Sequence, residues 1–331
     1  MRIDRTISVL LSAALLAGLL AGCGRSEKSD ATAEPSASAA ASAAANAGFQ
    51  IGSEEIPLAG GVSAADLSAV ASGTQVRKND KVVLDYSNAA DGYIMVKYLG
   101  SNQKVKTQIT GQSGVTYTYN QSLTGDYDVF VLSDGSGSYK VGVYENISGT
   151  SYSTAFSCTI SVTLKDEFAP FLRSNKYVNY SAASKVVAKA AELCKSQTNT
   201  TGKIKAVYTY VIDNYSYDYD LARNVKSGYI PDLDKDFVSK KGICFDYAAT
   251  MTAMLRSQGV PAKMVFGYTG STYHAWISTY SAESGWVTGS IYFNGKEWKL
   301  MDPTLASTGK SSAEIMKYIG NGANYVAKYI Y

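Results

Sequence analysis

One cysteine, one histidine and one aspartate carry the most chemical information in this chain. His274 is the only histidine among 331 residues, and it stands in Tyr273-His274-Ala275-Trp276. Thirty residues earlier, Cys244 stands in Gly242-Ile243-Cys244-Phe245-Asp246-Tyr247-Ala248. Twenty-eight residues later, Asp302 stands in Met301-Asp302-Pro303-Thr304. A thiol, an imidazole and a carboxylate in that order are the parts of an acyl-transfer site. The thiolate attacks a carbonyl, the imidazole is its base, and the carboxylate orients the imidazole. The local sequence favours Cys244 as nucleophile. Gly242 permits close backbone approach, and Cys244 falls where a helix should begin. The partial positive charge of that helix end stabilises a thiolate, and Lys240 and Lys241 add to it. An oxyanion hole would combine the Cys244 amide with a second donor, for which Tyr217 and Tyr219 are candidates.

The elements that must hold these residues are legible in outline. Apolar spacing predicts helices over 182–196 and 203–214, with Val186, Val187, Ala190, Leu193 and Cys194 on one face of the first and Ile204, Val207, Tyr208 and Val211 on one face of the second. A polar loop follows over 215–241. A third helix should run from Cys244 to Gly259, stopped by Pro261. Strands are expected over 262–268, 273–280, 287–293 and 297–301, with Asn294-Gly295 as a hairpin turn between the last two. Helices first and then an antiparallel sheet make an α+β unit over 166–331.

The preceding half reads differently. Short alternating runs at 81–86, 92–99, 105–110, 115–119, 127–132, 139–144 and 152–164 are separated by turn chemistry such as Asp91-Gly92 and Asp134-Gly135. Seven such runs predict an all-β, sandwich-like domain over 49–165. A helix over 64–70 is an open alternative within its first residues. The chain holds 26 tyrosines against 9 phenylalanines, as expected for amphipathic strand faces.

The beginning of the sequence is not expected to join the fold. Arg2 and Arg5 precede an uncharged apolar run at 7–20, too short to span a bilayer comfortably. It ends in Leu20-Ala21-Gly22-Cys23, which resembles a bacterial lipobox. That resemblance implies a signal peptide over 1–22, diacylglyceryl transfer to Cys23, and a chain anchored on the extracytoplasmic face of a bacterial cell membrane. Residues 23–48 are Ala-, Ser- and Glu-rich and read as a disordered tether. Net charge is +3 for the whole chain, which argues against nucleic acid as a partner.

Several residues take a plainer reading. Cys158 and Cys194 lie in phase with apolar neighbours and read as core thiols, although an exported chain permits a bond between them. No Cys/His cluster points to zinc. The acidic run Asp232-Leu233-Asp234-Lys235-Asp236 lacks the glycine and glutamate of a calcium loop and reads as solvated. Asp246 is expected to tie down nearby backbone, and Trp276 and Trp298 to pack around the strands.

Residues 176–306 resemble the transglutaminase-like domain, a papain-like superfamily. Tyr217-Asp218-Tyr219-Asp220, the Gly242–Ala248 stretch, Met254-Leu255-Arg256-Ser257-Gln258-Gly259-Val260-Pro261, Tyr273-His274-Ala275-Trp276 and Trp298-Lys299-Leu300-Met301-Asp302-Pro303-Thr304 carry the likeness in order. The resemblance covers about two-fifths of the chain and lends nothing to the β-rich half. It implies Cys244 as nucleophile, His274 as base and Asp302 as its orienting carboxylate, without cofactor or metal. Residues 281–295 depart from the pattern by widening the gap between His274 and Asp302. The implied activity is attack on a peptide or amide bond through a thioester, in a peptide or protein substrate at the cell envelope. Hydrolysis is the favoured outcome, with amine cross-linking or a non-catalytic binding module as alternatives.

Overall fold

The computed structural model describes residues 69–281, 285–288, 290–293, 298–309, 313–319 and 321–331. The expected signal peptide, Cys23, the tether, most of the 64–70 segment and the Asn294-Gly295 turn lie outside them. Among the described residues, no helix is long and apolar enough to cross a membrane.

All seven alternating runs contain strands: β2 Val82–Asp85, β3 Tyr93–Tyr98, β4 Val105–Thr110, β5 Thr116–Asn120, β6 Asp128–Val131, β7 Gly137–Ser148 and β8 Ser151–Val162. An eighth, β1 Val76–Lys78, is too short for alternation to register. They form two four-stranded antiparallel sheets, ordered β1-β2-β3-β6 and β5-β4-β7-β8. The period-two pattern does what strand geometry requires. In β4, Val105, Thr107 and Ile109 are buried; in β5, Tyr117 and Tyr119 are buried between exposed neighbours. Tyr119 lies across the sheets against Phe130, centroid to centroid 4.6 Å. Cys158 departs from expectation. It is only partly buried, because β8 is an edge strand. Cys194 is buried as expected, and both thiols are free.

The second half begins with α1 Lys185–Cys194 and α2 Thr200–Asn214, the latter capped by Asn199 accepting from the Gly202 amide at 2.8 Å. The expected polar loop is more ordered than its pattern suggests. It contains β9 Ser216–Tyr217, α3 Tyr219–Asn224, α4 Leu233–Ser239 and β10 Lys241–Gly242. Helices of six and seven residues are too short to show an apolar stripe. Their caps were the available signal: Asp218 accepts from the Leu221 amide and Asp232 from the Lys235 amide. The α5 helix, Cys244–Arg256, is buried along nearly its whole length, from Phe245 to Arg256.

Behind α5 lies a sheet ordered β13-β12-β11-β16, built from β11 Ala262–Thr269, β12 Thr272–Ser281, β13 Gly285–Thr288 and β16 Tyr325–Ile330. The strand expected over 287–293 is divided. Gly285–Thr288 pairs with β12, whereas β14 Ser290–Phe293 pairs with β15 Trp298–Met301 in a separate ribbon. Two short helices, α6 Pro303–Thr308 and α7 Ala313–Ile319, and the strand β16 complete the unit.

The two halves share one continuous apolar cluster. Tyr331 sits at its centre, with ring centroids 5.5 Å from Tyr117, 5.8 Å from Tyr119 and 4.9 Å from Tyr177. Tyr177 in turn meets Phe245, beside Cys244, at 5.6 Å. Lys176 bonds Asp128 of β6 at 2.6 Å in a nearly buried ion pair. Arg256 is fully buried and donates to three backbone carbonyls: Ala262 at 2.8 Å, and Arg173 and Tyr331 at 2.7 Å each.

Candidate active site

Cys244 is the first residue of α5, and Ile243 before it is extended. The first turn of a helix leaves its amides without intrahelical partners. The thiol therefore sits in a field of free N–H groups, half-buried rather than sealed. His274 stands on β12 opposite Gly267 of β11. A side chain at Gly267 would run within 2.0 Å of the Val326 carbonyl and 2.7 Å of the Trp276 ring, so glycine is required there. Trp276 is fully buried and lies nearly parallel to the His274 ring, 6.3 Å away at 22°.

The imidazole connects the other two residues. Its Nε2 is hydrogen-bonded to Asp302 Oδ2, and the Cys244 thiol is close enough to act on the charge of the ring. His274 is 2% exposed and Asp302 not at all. Asp302 caps α6: its Oδ1 accepts from the Thr304 amide at 2.9 Å and the Leu305 amide at 3.0 Å. The Tyr325 hydroxyl adds a longer bond to Oδ2 at 3.4 Å. The carboxylate is thus held on both oxygens, which fixes the plane of the ring it faces. Burial alone would lower the His274 pKa. The Asp302 charge and hydrogen bond, joined by the Cys244 interaction, outweigh burial and raise it from 6.5 to about 10. The group is built to carry its proton.

Asp246 does what the sequence suggests and ties down backbone. Its Oδ2 accepts from the Ile243 amide at 2.6 Å, bracing the turn before Cys244, and its Oδ1 accepts from the Tyr229 hydroxyl at 2.7 Å. Gly242 is needed for this arrangement, since a Cβ there would stand 2.4 Å from Asp246 Cβ. Parallel pairing of β9 with β10 sets Tyr217 opposite Gly242. Burial first, then the neighbouring Cys244 charge, push the Tyr217 phenol well above its ordinary pKa. It is a neutral O–H donor next to the thiol. Tyr219 is half-exposed and leans edge-on against Tyr217 at 5.0 Å.

Two expectations change. Lys240 does not stand as a free cation before Cys244. Its ammonium lies 3.5 Å from the Phe237 ring centroid, 4.8 Å from Tyr210 and 5.2 Å from Tyr215, and burial lowers its pKa. The acidic run is not a solvated loop. Asp232 caps α4, Asp234 accepts from the Lys185 amide at 2.7 Å, and Asp236 is 6% exposed because α4 packs against α5. Among the described residues, no three His, Cys, Asp or Glu side chains gather as a metal-binding group. Tyr325 and Tyr229 were not anticipated. Neither lies in a stretch whose pattern marks it, and both reach the site through tertiary contacts alone.

Residues 187–303 match the family model of the transglutaminase-like superfamily. Two curated proteins are similar to part of the chain. The uncharacterised YebA protein of Bacillus subtilis is 31% identical across 35% of this chain and 18% of its own length. A protein-glutamine gamma-glutamyltransferase of Pseudomonas aeruginosa is 32% identical across 16% of this chain and 10% of its own. The chain thus spans less than a fifth of either relative. Among solved structures, a candidate cysteine protease from Cytophaga hutchinsonii overlays 78% of this chain and 73% of itself at 13% identity and a TM-score of 0.36. Red sea bream transglutaminase overlays 69% of this chain and 53% of itself at 11% identity and a TM-score of 0.30.

Proposed function

We propose that this chain is a thiol-dependent acyl-transfer enzyme with Cys244 as nucleophile, His274 as proton carrier and Asp302 as orienting carboxylate. The observation behind this reading is the buried His274 ring, hydrogen-bonded to Asp302 and interacting with the Cys244 thiol. In the cycle the Cys244 thiolate attacks an amide carbonyl. The Cys244 amide and the Tyr217 hydroxyl receive the oxyanion. The imidazolium gives its proton to the departing amine, leaving a thioester and a neutral imidazole. Water then attacks, loses its proton to His274, and releases the acid.

Hydrolysis of a peptide or amide bond is the favoured second step. Supplying a labelled primary amine with candidate envelope proteins tests it. The expected product is a free carboxylate, with no more amine incorporated by the native chain than by Cys244→Ala. Incorporation that depends on Cys244 would assign amine transfer instead. A binding module without activity predicts a Cys244 that alkylates at neutral pH no faster than a free thiol.

The envelope setting is part of the proposal. Cys23 would be the lipidated first residue of the mature chain, 23–48 its tether, 49–165 a sandwich-like domain and 166–331 the catalytic domain. Expressed in a bacterium fed a labelled fatty acid, the full chain should take up label and sediment with membranes. Cys23→Ala should do neither; label retained in that variant would refute the anchor.

A further inference from the structure

Asp236 on α4 and Asp246 on α5 are both buried, at 6% and 0% exposure. They stand within hydrogen-bonding reach of one another. The oxygens of Asp246 already accept from the Ile243 amide and the Tyr229 hydroxyl. Asp236 Oδ2 meets no donor among the described residues. Two carboxyl groups in contact, away from water, cannot both be ionised at small cost. A proton between them satisfies both, and it supplies Asp246 with a third donor.

Among the described residues the cation that acts on Asp236 is Lys235, and burial together with the neighbouring carboxylates outweighs it. Asp232 and Lys235 flank Asp236 on its own helix, with Lys235 exposed. Asp246 faces it from α5, and Tyr215 and Tyr229 from the adjoining loops. Asp218 lies beyond, toward Asp246. From α1, Lys189 covers the Tyr210 ring and the Lys185 amide bonds Asp234. Desolvation and the Asp246 charge lift Asp236 to about 7, while Asp246 rises to about 6, also from burial. As a coupled pair they share the titration rather than owning separate constants.

We propose that Asp236 is a positioning residue for Cys244: as a protonated acid it bonds Asp246, which holds the Ile243 turn, and its ionisation sets two carboxylates against each other and loosens the nucleophile. The proton leaves to solvent and no covalent bond changes. The inference rests on the Cys244–His274 pair of the proposed function, since that pair keeps thiolate reactivity otherwise flat across neutral pH.

The experiment measures iodoacetamide alkylation of Cys244 in the full chain, mapped by peptide mass, together with urea unfolding. Native protein should alkylate at a constant rate up to about pH 6 and then lose about five-fold through a step centred near 7, the range expected of a buried carboxyl pair. Asp236→Asn keeps a neutral donor and should abolish the step while retaining the fast rate. Tyr229→Phe removes a competing donor to Asp246 and should move the step to higher pH. Native Asp236 also binds its proton more tightly than the unfolded chain does. Stability relative to Asp236→Asn should therefore decline as pH rises from 3.8 to about 7 and stay lower above it. Identical profiles for native protein and Asp236→Asn, in alkylation and in urea, would overturn the proposal. If alkylation of both proteins instead climbs toward ~8.5, as for an unpaired thiol, the ion pair has failed and the urea comparison alone decides the carboxyl pair.

Discussion

His274→Ala is expected to cut the rate of acyl-enzyme formation by on the order of 10³- to 10⁵-fold, because proton carrier and thiolate partner vanish together. No second histidine exists to substitute for it. Cys244→Ala should lose as much, and Asp302→Ala less, since nucleophile and base both remain when only orientation is weakened. The pH dependence follows from the same contacts. Native His274 holds its proton up to about 10, against 6.5 unpaired, so the thiolate–imidazolium pair should persist across neutral pH and disappear as pH climbs through about 10. Its share of folding stability is fully present below 6.5 and is lost over that same climb. In His274→Ala that pair cannot form, and the residual reaction should lack the fall near about pH 10. Single-turnover acylation with an ester or amide probe, read against pH, separates these cases. Near-native turnover in His274→Ala would remove the catalytic assignment.

Arg256→Met should be the most damaging single substitution for stability. Among the described residues the guanidinium has no anionic partner. It is neutralised by the dipoles of three carbonyls, from Ala262 on β11, Arg173 between the halves and Tyr331 after β16. Methionine fills much of the space but leaves those acceptors buried and unpaired, at about 1–3 kcal/mol each before relaxation. A net loss of about 3–5 kcal/mol is expected. Urea denaturation would register it as a fall in midpoint at nearly constant slope. A change below ~1 kcal/mol would show that water replaces the guanidinium. The same variant should weaken the contact between the halves, because two of the three carbonyls belong to the segments that join them.

The sequence was informative where a residue type or a period carries its own meaning. A lone histidine in order with a cysteine two residues after a glycine and an Asp-Pro pair points to residues that the fold then gathers, with His274 bonded to Asp302. Alternation in 105–110 marks a strand because both of its faces are solved locally, apolar inward and polar outward. What stayed hidden depends on partners remote in sequence. Asp236 looks like any acid in a polar run, and only packing of α4 on α5 buries it. Tyr325–Ile330 shows no clean alternation because Val326, Ala327 and Lys328 are exposed in succession, so neither face of β16 is consistently buried. The α6 helix was readable after all. Asp302 followed by Pro303 is an N-cap with proline at the first helical position. The chemistry expected of Asp302 masked its structural signature, and its oxygens divide the contacts, Oδ1 to the helix cap and Oδ2 to His274.

The buried indole of Trp276 beside the imidazole has an optical consequence. An imidazolium is a strong quencher of an indole it faces, whereas neutral imidazole is a weak one. Trp276 lies nearly parallel to His274 and is screened from water. Its emission should therefore be dim while the ring is charged and should brighten as the proton leaves. Substitution of the other two tryptophans, Trp286 and Trp298, would make Trp276 an intrinsic lamp for the protonation state of the site, readable without substrate or label.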